Sequence, residues 1–135
     1  MKILVIDDDP AITELLKILL APATSDILTT NSGKEGVELV KNESPEVVIL
    51  DLMMPGMDGW QVCNQIRTFS NVPILVFSAL DSPGMVASAL DAGADDYLVK
   101  PVPSGVLIAH LNKLTRRPGM NNGDKFKPQT APISL

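Results

Sequence analysis

The stretch "ILVIDDDP", Ile3–Pro10, sets four apolar residues, three of them β-branched, directly before three adjacent carboxylates. Neighbouring carboxylates repel one another, and a strand that merely needs a turn has no use for three of them. The stretch therefore reads as a buried strand whose end must face a positive charge. Working outward, four further apolar runs follow: "DILTT" (Asp26–Thr30), "EVVIL" (Glu46–Leu50), "VPILVF" (Val72–Phe77) and "DYLV" (Asp96–Val99). Most are continuously apolar, the pattern of strands covered on both faces and hence of a parallel sheet. The second run is the most polar and reads as an edge strand.

Between the runs, apolar residues recur at helical spacing. Ile12, Leu15, Leu16 and Leu19 follow Pro10; the other helical stretches are Gly33 to Glu43, Trp60 to Phe69, Pro83 to Ala92 and Pro103 to Thr115. The Pro-Gly opening at Pro83 predicts an insecure first turn. Five strands alternating with five helices predict right-handed crossovers and an α/β three-layer sandwich. The tail 116–135, with five Pro or Gly between Pro118 and Pro132 and no apolar period, reads as a linker or C-terminal tail. The domain proper is then 1–115.

Composition narrows the function. The 135 residues are 45% hydrophobic and 4% aromatic, enough for one aliphatic core. Residues 1–115 hold seven Lys or Arg against fifteen acids, a balance of -8, whereas 116–135 hold four against one, or +3. An acidic body of this kind predicts no direct nucleic-acid binding by the domain. Cys63 and His110, the single residues of their types, are too few for a disulfide or a cysteine-based zinc site. No leader and no membrane-length apolar run is present, so a cytoplasmic location is expected.

Ligands of an open parallel sheet bind beyond the carboxyl ends of its strands. Asp7, Asp8 and Asp9 follow the first strand, Asp51 the third, Ser78 the fourth and Lys100 the fifth; the edge strand delivers no such group. Clustered carboxylates are hard oxygen ligands suited to Mg2+. Asp51 can then act as a nucleophile toward a phosphoryl group, with Lys100 and the Ser78 hydroxyl meeting its oxygens. Singly, each residue also fits a cap, a turn or a solvated loop, and Asp9 before Pro10 suits a helix N-cap. In "MPGMDG", Pro55 and Gly56 read as a turn and Asp58 as a helix cap; Trp60 and Cys63 read as helix packing, and His110 as a surface or interface residue.

The motifs "ILVIDDDP", "VVILDLMMPGMDGWQV", "VPILVFSA" and "AGADDYLVKP" together resemble the receiver domains of two-component response regulators, over about residues 2 to 115. The resemblance implies a flavodoxin-like fold of strand order 2-1-3-4-5, with Asp51 as phosphoacceptor. It implies Mg2+ (or Mn2+) bound by Asp8 directly, by Asp7 largely through water, by Asp51 and by the backbone carbonyl of Met53. It makes Ser78 and Tyr97 the switch pair, Lys100 the invariant lysine, and the Lys100–Pro101 bond cis. It further implies a sensor histidine kinase as phosphodonor and a remodelled face of fourth helix, fifth strand and fifth helix. That face would control a DNA-binding output domain beyond this chain, or a homodimer. Such a protein is not an enzyme in the ordinary sense; it slowly loses its own phosphoryl group. Met53 and Leu80, two residues beyond Asp51 and Ser78, cannot orient water and predict slow loss.

The last helix departs from the DNA-binding subfamily: Val106 and His110 stand where an acidic and a basic residue are usual, which predicts a more apolar contact through Val102 and Val106. The alternative is a phosphohydrolase of the haloacid-dehalogenase type. It needs a general-acid Asp two residues after the nucleophile, where this chain has Met53, and a cap domain that the chain lacks. A flavin or nucleotide module would need a small-residue phosphate loop in place of "DDDP".

Overall fold

A computed structural model of the chain describes residues 1–116, so the linker or tail read at 116–135 lies, from residue 117 on, outside the described residues. The elements alternate without exception: β1 (Lys2–Ile6), α1 (Pro10–Leu20), β2 (Asp26–Thr30), α2 (Gly33–Glu43), β3 (Val47–Leu50), α3 (Gly59–Arg67), β4 (Ile74–Ser78), α4 (Pro83–Asp91), β5 (Asp96–Val99) and α5 (Ser104–Leu114). The five strands form one parallel sheet of order β2-β1-β3-β4-β5. This is the flavodoxin-like three-layer arrangement, with β2 at an edge as its polarity predicts.

Strand alternation divides the core in two. Leu4, Ile6, Val48, Leu50, Ile74 and Val76 meet Val37, Val62, Cys63, Ile66 and Ala89 of α2, α3 and α4. Ile3, Val5, Val47, Ile49, Leu75 and Phe77 meet Leu16, Leu20, Leu107 and Leu111 of α1 and α5. β3 is buried throughout and β1 from Ile3 on, which explains their unbroken apolar runs.

Helix starts follow local chemistry. Asp9 caps α1 by accepting from the Ala11 amide, with Pro10 in the first turn. Asp58 and Gln61 form a reciprocal capping box at α3. The first turn of α4 is secure rather than loose. Ser82 accepts from the Met85 amide and Pro83 occupies a position where its missing N–H costs nothing. At β4 the expected start at Val72 moves to Ile74. Pro73 has no N–H to give the ladder, although its carbonyl still accepts from Val48 at 2.9 Å.

Candidate functional site

Three of the polar groups at the sheet rim are fixed by a backbone ladder that runs one residue past its strand, and Ser78 ends its own strand. The Asp7 amide donates to the Thr30 carbonyl (3.2 Å), Asp51 to Ile6 (3.0 Å) and Lys100 to Ser78 (2.9 Å). The side chains therefore start from rigid positions on four adjacent strands.

Asp7, Asp8 and Asp51 come together, with carboxylate oxygens all within 4.8 Å of one another. Asp7 is buried; its Oδ1 accepts from the Asp9 amide at 3.0 Å and its Oδ2 pairs with Lys100 Nζ at 2.9 Å. Asp8 is half-buried and takes no hydrogen bond or ion pair among the described residues. Asp51 is buried, with Oδ1 accepting from the Leu52 amide at 2.9 Å. Burial pushes the Asp51 carboxyl above its ordinary range, and the Lys100 charge opposes that rise only in part. One ammonium faces three carboxylates whose donor atoms are all hard oxygens. Such a set fits a divalent Mg2+ ion, with Asp8 as the carboxylate still without a partner.

Ser78 is buried at the end of β4, its Oγ accepting from the Leu80 amide at 3.2 Å. The Tyr97 ring packs against the α2/α3 side of the core, and its hydroxyl donates to the Leu80 carbonyl at 2.6 Å. Burial raises the Tyr97 pKa, so the phenol is a hydrogen-bond donor at neutral pH. Tyr97 is half-buried, and this bond ties its ring to the backbone two residues beyond Ser78. The Lys100–Pro101 peptide is cis, as the "VKP" motif implies. Met53, whose expected ligand is its backbone carbonyl, is 59% exposed. Asp9 stays outside the cluster in its capping role.

The connection after Asp51 depends on two glycines. Gly56 has φ +81° and makes the turn of "MPGMDG". Gly59 begins α3 so close to the nucleophile's backbone that a Cβ there would lie 2.4 Å from the Asp51 carbonyl oxygen.

Two residues escape the sequence reading. The edge strand does deliver polar groups: Asn31, just after β2, donates from Nδ2 to the Asp7 carbonyl (2.8 Å) and to Thr13 Oγ1 (3.3 Å), while Thr30 bonds Glu35. The signal was the one used elsewhere, a polar residue directly after a strand. His110, read as a surface or interface residue, sets its Nδ1 2.6 Å from Asp96 Oδ2, a pairing the sequence did not show, and so ties α5 to β5. Trp60 and Cys63 do pack as expected, on the α2/α3 side of the core.

Against this geometry, the family model described as "Response regulator receiver domain" matches residues 3–112. Among curated proteins, "Response regulator MprA" of Mycobacterium leprae (strain TN) is 43% identical over 118 residues, covering 87% of this chain and 52% of that protein. "Transcriptional regulatory protein AfsQ1" of Streptomyces coelicolor is 38% identical over 115 residues, covering 85% and 51%. The chain thus spans about half the length of the curated relatives it matches. Among solved structures, the BeF3-activated N-terminal receiver domain of Klebsiella pneumoniae RstA superposes with TM-score 0.82 at 33% identity, covering 87% of this chain and all of that one.

Proposed function

Since the chain belongs to the response-regulator receiver family, we propose that it is the phospho-accepting switch of a two-component system, with Asp51 as the acceptor and a transcriptional output beyond this chain. The observation that carries this reading is the convergence of the Asp7, Asp8 and Asp51 oxygens within 4.8 Å, with Lys100 on Asp7. A haloacid-dehalogenase-like hydrolase gains no support, because position 53 holds no carboxylate to act as general acid.

In the proposed cycle a sensor histidine kinase presents phosphohistidine. An Asp51 carboxylate oxygen attacks phosphorus in line, the P–N bond breaks as the P–O bond forms, and the neutral imidazole leaves. Asp8, Asp51, the Met53 carbonyl and, through water, Asp7 would hold Mg2+, which when bound neutralises charge on the phosphoryl oxygens. Asp7 at the same time holds the Lys100 ammonium at the rim, ready to meet a phosphoryl oxygen. Ser78 offers its hydroxyl to another. Tyr97, bonded to the Leu80 carbonyl, stabilises the β4–α4 connection that follows Ser78, so engagement of Ser78 biases the α4–β5–α5 face. That is a population shift between two states, read by a partner or a second copy.

Intact mass after incubation with acetyl phosphate and Mg2+ tests the reading. A gain of one phosphoryl group, absent in Asp51→Asn, is expected. No adduct on a folded protein would overturn it.

A further inference from the structure

Phe77 and Lys100 lie on one face of the sheet. Phe77 of β4 pairs with Leu98 of β5, and Lys100 is two residues further along, so alternation returns its stem to the same α1/α5 side. The ammonium stands over the Phe77 ring, 5.4 Å from its centroid, while its other contact is the Asp7 carboxylate at 2.9 Å. The Lys100 stem and the buried ring also line an apolar cavity of about 170 Å³ with Ile12, Leu16 and Val102. Low polarity on that side strengthens the attraction between an ammonium and the negative face of a ring.

We propose that Phe77 is a positioning residue for Lys100, holding its ammonium at the rim by the face of the ring. The proposal rests on the reading above, in which Lys100 meets a phosphoryl oxygen on Asp51. To do so the lysine must share or leave its ion pair with Asp7, the one it makes among the described residues. A flexible four-carbon stem would then wander into solvent. The ring keeps the ammonium at the same height without neutralising it, which an aliphatic residue of similar volume would not do.

Two measurements separate this role from packing. In the metal-free protein, the ε-methylene NMR signals of Lys100 should show a ring-current shift that disappears in Phe77→Leu; ordinary lysine shifts in the wild type would overturn the proposal. The second is the rate of Asp51 phosphorylation by acetyl phosphate with pentafluorophenylalanine at position 77, which preserves ring shape and reverses its electrostatic face. We expect a rate about 3- to 10-fold lower, with little further loss in a Lys100→Met background. A wild-type rate, or the same loss without Lys100, would show Phe77 to be packing alone. A wild-type protein that accepts no phosphoryl group sinks the functional reading instead, and the ring-current shift then decides the placement by itself.

Discussion

At Asp51 burial favours the protonated acid, so in the metal-free protein the folded chain holds a proton more tightly there than the unfolded chain does. Stability contributed at this position therefore falls as pH rises from the ordinary carboxylate value of 3.8 through the raised one, and the loss is complete above it. Asp51→Asn should raise the melting temperature of the chelated protein at neutral pH, and the gain should vanish near about pH 3, where carboxylates are protonated in both states. Thermal melts at the two pH values check this; a variant less stable at neutral pH would contradict it. The neighbouring run divides by the same reasoning. Asp8 has no hydrogen-bond or ion-pair partner among the described residues, so Asp8→Ala should abolish metal-dependent phosphorylation with little change in stability. Asp9→Ala should leave phosphorylation intact and cost about 1 kcal/mol through the lost α1 cap, read by urea unfolding. Cys63 is inert for a related reason: burial pushes its thiol up to about 11, so alkylation should follow global unfolding.

Between elements, Arg67 does most to fasten the helices to the far end of the sheet. From the last turn of α3 it donates to the carbonyls of Ser70, Val72 and Gly93 and pairs with Asp95 at 2.8 Å, and Asp95 in turn accepts from the Ile74 amide. One cation thus joins α3, the entry to β4 and the entry to β5. Arg67→Ala leaves three carbonyls short of a donor and should cost about 2–3 kcal/mol in denaturant unfolding; a loss under about 0.5 kcal/mol, typical of an exposed ion pair, would refute that role. This network was not legible in the sequence, since its members come from the end of α3 and from the two connections that enter β4 and β5, with no shared period. The same holds for the Asp96–His110 pair, whose partners are fourteen residues apart on a strand and a helix. What was legible is what repeats locally: apolar runs, helical spacing, and caps such as Asp9 and Asp58. At α4 the Ser82 cap directly precedes Pro83 and Gly84, so the helix starts at the very pair that would otherwise break it. At the rim, Asp7, Asp8, Asp51, Ser78 and Lys100 could be read because each ends its strand or lies within two residues of that end. Asn31 obeys the same rule, on a strand whose polarity marks it only as an edge.

For the molecule as a whole, charge and apolar surface are distributed so as to give a contact between copies a recognisable salt dependence. The residues 1–115 carry a balance of -8, so two receivers repel. The exposed large apolar side chains of α4 and α5 are Met85, Leu90 and Val106, and among the described residues Asp96 of β5 pairs with His110 of α5 within the chain. A dimer formed there on phosphorylation would lose apolar surface to water while bringing like charges together. Raising salt from about 0.05 M to about 0.5 M shortens the screening length several-fold and weakens that repulsion, leaving apolar burial in place. Sedimentation of the beryllofluoride-loaded protein should therefore show association that holds or tightens with salt. Dissociation on adding salt would mean that ion pairs between copies carry the contact, and would return this face to the charged pattern that Val106 and His110 depart from.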